Sequence, residues 1–396
     1  MTDPTPAAAS FPLDRPNPFD PSVELGRLRE EEPVSRLAYP DGHVGWLVTS
    51  HSLIRAVLAD ERFSSRAEIK HTPVARASMS DEPRPAPPGF FVANDPPEHT
   101  RYRHLLTGQF TVRRMRELTP LIQQFTHTCL EEMAWQGPPM DLVQAFALPL
   151  PSLVICELLG VPYEDRAEFQ RHSASLARVG ASHEETVAAY TALTSFMREL
   201  VLAKRARPAD DLISGLTGSD LTDEELTNIG FMLLGAGHET TANMIALGTF
   251  ALLSNPDQIA VMRKEPERAV EELLRYLSVV PFTVRTALED VELAGRHIKA
   301  GESVTVSIAA GNRDPERFAD PDTLDLLRSA SSQIAFGHGI HQCLGQQLAR
   351  IEMQIAYPAL FDRFPSLRLD VPSEEVPLRA DMLIHGVHRL PVTWDI

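Results

Sequence analysis

Cysteine is scarce: this chain of 396 residues holds three, Cys129, Cys156 and Cys343. Odd in number and far apart, they exclude a disulfide framework and offer no zinc-ligand spacing, which suits a reducing compartment. A targeting segment is also missing. Residues 1–20 are rich in Pro, Ala, Ser and Asp without a basic n-region or an apolar core. That composition excludes a signal peptide or membrane anchor and makes a cytoplasmic protein the expectation. No hydrophobic run is clean enough for lipid. The most apolar stretch, Ile229 to Leu253, carries His238, Glu239, Asn243 and several threonines, and reads instead as a buried central helix. Positive charge falls short as well: the net charge of −17 excludes nucleic acid as a partner, because phosphate binding needs a basic field. No Gly/Ser linker, low-complexity block or repeat divides the chain. Its length would permit two or three domains, yet the expectation is a flexible leader over residues 1–20 and a single domain over 21–396.

What is present is mostly helical periodicity. Apolar residues recur at helical spacing over 23–31, 52–58, 99–110, 118–135, 151–159, 164–176, 184–205, 222–253, 256–265 and 266–276. Strand-like pieces are few, at 45–49, 284–287, 297–298, 303–308 and 390–394. Between Ser64 and Asn94 the chain is rich in Pro, Ser and charge without a period, and reads as a long functional loop whose Phe90-Phe91 offers an apolar surface. The fold class is therefore mainly α with small β-sheets.

One segment carries more chemistry than any other: Phe336-Gly337-His338-Gly339-Ile340-His341-Gln342-Cys343-Leu344-Gly345. Leu344, Leu348 and Ile351 continue at helical spacing, so Cys343 stands at or just before a helix N-terminus, where backbone N–H groups and the helix dipole favour an anionic sulfur. Gly337 and Gly339 allow backbone conformations closed to other residues. Gly345 leaves one turn bare for a flat macrocycle, and Phe336 is placed to pack beside the sulfur. The segment reads as a haem-thiolate site. It resembles, position for position, the Phe-Gly-x-Gly-x-His-x-Cys-x-Gly signature of the cytochromes P450, and the order of elements is similar along nearly the whole chain.

The resemblance implies haem b (iron protoporphyrin IX), ligated by Cys343 and held between the long central helix and the cysteine-ligand loop. Ala236, Gly237, Glu239 and Thr240 resemble the family's oxygen-binding motif in the middle of that helix. There, glycines clear a turn and a threonine hydroxyl bonds back to the carbonyl four residues earlier. By resemblance, Thr240 hydrogen-bonds dioxygen and Glu239 relays protons. The haem propionates need cationic partners, and His99, Arg103, Arg285 and His341 match the family's positions for them. Glu272 and Arg275 resemble the Glu-x-x-Arg pair that braces the ligand loop, with Arg313 or Arg317 as third partner. Where relatives read Phe-Asp-x-x-Arg, this chain has Leu324-Asp325-Leu326-Leu327-Arg328.

Family positions for substrate contact are mainly apolar here. Phe90, Phe91, Leu233, Val280, Phe282, Leu383 and Ile384 predict a hydrophobic pocket, with Arg66, Arg76, Arg84, Thr283 and His385 as polar anchors. The expectation is a monooxygenase inserting one oxygen atom into a natural product such as a polyketide, macrolide or terpenoid. A peroxide-driven hydroxylase and a non-oxygenating haem-thiolate binding protein or isomerase are the alternatives, and Glu239-Thr240 weighs against both. No Gly-x-Gly-x-x-Gly follows a strand, so electrons must come from another protein. The resemblance implies a ferredoxin and a ferredoxin reductase using NAD(P)H. Arg101, Arg103, Arg113, Arg114 and Arg116 form a candidate docking patch, and the chain is expected to act as a monomer.

Overall fold

The computed structural model describes residues 8–74, 84–162, 165–166, 182–380 and 382–396. The helices are α1 (Val23–Glu31), α2 (His51–Ala59), α3 (Glu98–Thr107), α4 (Val112–Gln136), α5 (Pro149–Leu159), α6 (His183–Ala206), α7 (Leu212–Leu216), α8 (Asp223–Ser254), α9 (Ile259–Lys264), α10 (Pro266–Leu277), α11 (Ile308–Gly311) and α12 (Gln346–Arg363). The helix expected over 164–176 lies almost wholly outside the described residues. Among those described, no helix is long and apolar enough to cross a membrane.

The longest helix, α8, organises the rest. Its start is fixed by a reciprocal cap: the Thr222 hydroxyl accepts from the Glu225 N–H at 3.1 Å, and the Glu225 carboxylate accepts from the Thr222 N–H at 2.7 Å. Such a cap satisfies two of the four donors a helix leaves open at its N-terminus. Beyond the cap the helix is buried on nearly every face, because α5, α6 and α12 pack around it. That surround explains why its sequence is apolar all round. Close approach is bought by glycine at Gly248, where a Cβ would lie 2.1 Å from the Tyr357 hydroxyl; that hydroxyl donates to the Met244 carbonyl at 2.5 Å.

A six-stranded sheet in the order β1-β2-β3-β9-β6-β4 stands beside the helices, formed by β1 (Ala9–Ser10), β2 (Val34–Ala38), β3 (Val44–Val48), β4 (Phe63–Ser64), β6 (Phe282–Ala287) and β9 (Ser303–Ser307). Strands β5 (Met140–Asp141), β10 (Arg368–Leu369) and β11 (Pro391–Thr393) make a second sheet, and β7 (Val291–Leu293) pairs with β8 (Arg296–Ile298). The register that matters for the site sets Arg285 of β6 opposite Val304 of β9.

Two expectations change. Strand β2 is absent from the periodicity reading, since Val34-Ser35-Arg36-Leu37-Ala38 does not alternate apolar with polar; its pairing with β3 makes it a strand. Helix α4 starts six residues earlier than expected, at Val112, where the Thr111 hydroxyl accepts from the Arg114 N–H at 3.3 Å, and it runs on through Pro120. Within the stretch expected as the leader, the described residues make contacts with the rest of the chain. Ala9 and Ser10 pair with β2, Phe11 is buried with its ring 4.8 Å from that of Phe282, and Asp20 lies 3.0 Å from Arg313. Local composition hid these long-range contacts.

Candidate active site

Between α8 and the segment preceding α12 lies a cavity of about 340 Å3. Its floor is the cysteine loop. The Gly337 N–H donates to the Ile334 carbonyl at 2.8 Å, and the Cys343 N–H reaches back to the Phe336 carbonyl at 2.9 Å, folding the loop into a tight turn. Gly337 and Gly339 have φ of 72° and 75°. At Gly339 an added Cβ would also meet the Leu58 carbonyl oxygen at 2.2 Å, so glycine is required there twice over. The Arg350 guanidinium lies 4.6 Å over the Phe336 ring and closes the outer side.

Cys343 therefore precedes the helix, which begins at Gln346, and its accessible surface opens into the cavity. Enclosure deep in the fold pushes the thiol up, outweighing the Gly345 N–H and the Arg103 and Arg350 guanidiniums that pull it down. The helix start alone is thus insufficient to make a thiolate. A metal cation bound at the sulfur would supply the missing compensation.

One side of the cavity collects cations with few partners. His99 is 2% exposed, and neither of its ring nitrogens has a hydrogen-bond partner among the described residues. Its ring lies 4.1 Å from that of His341. Burial, reinforced by the neighbouring arginines, lowers His99 to about 4 and His341 to about 2. Arg285, also buried, is lowered to about 10 and, among the described residues, bonds only within its own strand, to the Val284 carbonyl at 2.9 Å and the Thr283 hydroxyl at 3.3 Å. Arg103 lines the same cavity, and its pKa too is lowered by burial. Lys70, which the sequence reading passed over, joins this group: burial first and Arg285 second lower it to about 8. Asp95 gives little relief, being occupied by the Ser64 hydroxyl at 2.5 Å and the Ser65 N–H at 2.8 Å. Orphaned imidazoles and crowded cations at the rim of an apolar cavity fit a ligand with two carboxylates. With a cysteine sulfur facing the interior, the residues fit haem.

The opposite wall is α8. The Thr240 hydroxyl donates to the Ala236 carbonyl at 2.7 Å, as its spacing predicts, while the helix continues unbroken. Both residues line the cavity. Glu239 does not. Its carboxylate is turned to Arg379, with Oε1 2.5 Å from Nη2.

The structure brings Phe91, Leu233 and Val280 to the cavity along with Phe336, Gly337 and Gly345. Phe90 packs beside Phe231, at 6.3 Å between ring centroids, and Ile384 rests on the main core. Leu383 is half-buried, and neither it nor Phe282, which turns toward Phe11, is among the lining residues. Of the polar anchors, Thr283 lines the cavity. The His385 ring nitrogen donates to the Pro18 carbonyl at 2.9 Å, Arg66 lies near Glu68 and Asp95, and Arg76 falls outside the described residues.

The brace needs a correction. Glu272 and Arg275 are fully buried and paired at 2.7 Å, but the third member is Arg328, whose Nε donates to Glu272 at 3.0 Å. Arg313 pairs with Asp20 and Asp322, and Arg317 bonds Ser332. The signal was the Leu-Asp-Leu-Leu-Arg run itself, whose final arginine keeps the family spacing. Sequence reasoning also missed Glu352, a fully enclosed carboxyl lining the cavity, whose pKa burial raises well above the usual range.

A cysteine aimed into an apolar cavity and a cationic rim for two carboxylates define a haem-thiolate protein. The cytochrome P450 family model matches residues 164–387. Cytochrome P450 105C1 of a Streptomyces species is 49% identical over 98% of this chain and 99% of its own length. Pentalenic acid synthase of Streptomyces avermitilis is 45% identical over 100% of both. The crystal structure of CYP105P1 in complex with filipin I superposes with a TM-score of 0.89 at 42% identity, covering 98% of this chain and 99% of that one. The chain belongs to the cytochromes P450: it is a haem b monooxygenase that uses dioxygen, a small-molecule substrate and redox partners.

Proposed function

We propose that the chain oxidises a hydrophobic natural product of polyketide, macrolide or terpenoid type. Cys343 holds the haem iron in this reading, His99, Arg103, Arg285 and His341 hold the propionates, and residues 21–396 act as one unit. The observation that carries the assignment of the cofactor residues is the buried His99 ring with two unpartnered nitrogens beside Arg285 and His341. The relatives whose names mention pentalenic acid and filipin I support the substrate class, as does a cavity walled by Phe91, Leu233, Val279 and Val280. When bound, haem supplies the redox chemistry that activates dioxygen.

The protein's own groups orient and supply protons. The Thr240 hydroxyl, resting on the Ala236 carbonyl, is an alcohol poised one rotation from the cavity, and Glu239 sits one residue earlier as an acid with access to solvent. Beside α8 the wall is largely apolar, so side chains such as these provide a route for protons into the cavity. A ferredoxin served by an NAD(P)H-dependent reductase supplies electrons to a monomeric enzyme. Of the five arginines in the expected docking patch, Arg101 is engaged by Glu225 and Asp220 and Arg103 faces the cavity. Arg114 is half-buried, bonding Gln109 and lying 3.5 Å from Asp210, so the exposed docking face is reduced to Arg113, which has Glu117 at 3.8 Å, and Arg116. The test is a pair of variants. Cys343→Ala is expected to abolish the long-wavelength Soret band of the ferrous carbonyl form, and Thr240→Ala to divert reducing equivalents to peroxide while haem stays bound. A retained thiolate spectrum in the first, or unchanged peroxide yield in the second, would refute the corresponding role.

A further inference from the structure

Residues 69–71 lie across strands β6 and β9, pinned on both sides of a single residue, Lys70. The Thr286 hydroxyl donates to the Ile69 carbonyl at 2.9 Å, and the His71 N–H donates to the Ser303 hydroxyl at 3.2 Å. Thr286 and Ser303 are themselves paired in the sheet. Beyond them the His71 ring stacks on that of His43, 3.8 Å away and within 1° of parallel, and its Nδ1 lies 2.6 Å from Asp41. His43 is fixed in turn, because its Nε2 accepts from the Ser303 N–H at 3.1 Å. The backbone at Lys70 is extended, with φ −95° and ψ 131°, so its side chain leaves opposite those of Ile69 and His71. It arrives among like charges. Arg285 is the charged neighbour that most disfavours its proton, and Lys70 in turn is among the cations that disfavour one on His341. The acids in range are Glu68, which lies 3.6 Å from Arg66, and Asp95, already held by two serines. Among the described residues the Lys70 ammonium makes no hydrogen bond or ion pair.

We propose that Lys70 is a further binding residue for a haem carboxylate, carried by a loop rather than by a helix or strand of the frame, and that this contact ties docking of residues 69–71 to occupancy of the cofactor site. This rests on the reading of the rim as the haem-carboxylate site and adds to it a residue and a linkage. A half-buried ammonium beside a guanidinium is costly without a counter-charge, and a lysine on a loop ordinarily escapes by extending into solvent. Here the bonds at Ile69 and His71 hold its stem against the sheet, so the counter-charge has to come to the lysine. A lysine placed only to fasten the loop would pair with Asp95 or Glu68, and among the described residues those acids pair with Arg66 instead. An anion at the rim offsets the repulsion between Lys70 and Arg285 and attracts both. By reciprocity, whatever strengthens docking of the segment strengthens cofactor binding by the same factor.

The test follows transfer of ferric haem from the loaded enzyme to an excess of apo-globin. Lys70→Met is expected to speed transfer roughly tenfold, as loss of one hydrogen bond between charged groups predicts, and Lys70→Arg, which keeps the charge, to stay close to wild type. His71→Ala loosens the segment without touching the rim, so it should speed transfer by a smaller factor and add nothing to Lys70→Met in the double variant. Hydrogen exchange reads the linkage separately: protection of the His71 amide should rise on haem loading in the wild type and not in Lys70→Met. Urea unfolding of the haem-free protein should be the same in Lys70→Met and wild type, which a lysine serving only the fold would not allow. Wild-type transfer in Lys70→Met, haem-dependent protection that survives it, or an equal loss of stability without haem overturns the proposal. Should Arg285→Met and His99→Ala leave transfer unchanged as well, the reading of the rim fails with it; normal transfer in Lys70→Met alone leaves that reading standing.

Discussion

Two groups of buried ionisable residues lie in this protein, and they are built on opposite rules. Around Glu272, Arg275 gives its Nε and Nη2 to the carboxylate and its remaining donors to the carbonyls of Asn312, Pro321 and Thr323, while Arg328 completes the carboxylate's shell. Around His99, by contrast, both ring nitrogens are orphaned, burial lowers the pKa values of Arg285, His341 and Lys70, and Arg285 lowers the latter two further. A satisfied cluster is part of the architecture. An unsatisfied one, kept at the edge of a cavity, is waiting for a ligand of opposite charge.

The comparison breaks most sharply at Glu272. Glu272→Ala leaves Arg275 and Arg328 without their carboxylate in a region closed to water, and removal of one partner from a buried pair costs about 3–5 kcal/mol. Urea unfolding of the haem-free protein should show that loss, and a change below about 1 kcal/mol would mean that the cluster is not structural. The mirror experiment is Arg285→Met. Unfolding of the haem-free protein should be unchanged or slightly improved, since a poorly paired buried cation has been removed. Haem retention should fall instead: a lost hydrogen bond to a charged group is worth about 1.5–3 kcal/mol, or roughly tenfold to a hundredfold faster transfer of haem to an acceptor globin. Equal losses of stability in both variants would erase the distinction.

How much of this was readable beforehand depends on the range of the interaction. The cysteine loop, the Thr240 back-bond and the four-residue spacing of His99 and Arg103 are local, so composition and period exposed them. Arg379 opposite Glu239 is separated by 140 residues, and no local pattern marks that arginine among its many fellows. The identity of the brace's third member failed for a related reason. Several arginines follow Arg275 at plausible distances, and only the turn at Asp325, whose N–H donates to Glu272 at 3.1 Å, brings Arg328 rather than Arg313 to the carboxylate. Phe282 shows the opposite failure: its neighbour Thr283 lines the cavity, and strand alternation sends Phe282 to the other face.

The smallest effect places both kinds of cluster on one helix. On α3, His99 and Arg103 face the cavity, whereas Arg101 and Tyr102 face the cap of α8. There Arg101 lies 2.6 Å from Glu225 and the Tyr102 hydroxyl donates to it at 2.7 Å. Burial alone would raise the Glu225 pKa. Arg101, the Thr222 N–H and Tyr102 overcome it and bring the group down to about 2. A carboxylate depressed in the folded state contributes stability that is complete above its unfolded value, near 4.5, and is lost as pH falls toward 2. Glu225→Gln should therefore lower stability at neutral pH and flatten the acid limb of the unfolding profile between those values, without altering haem retention. A flattened profile accompanied by haem loss would show that the two faces of α3 are coupled and that the satisfied cluster serves the cofactor as well as the fold.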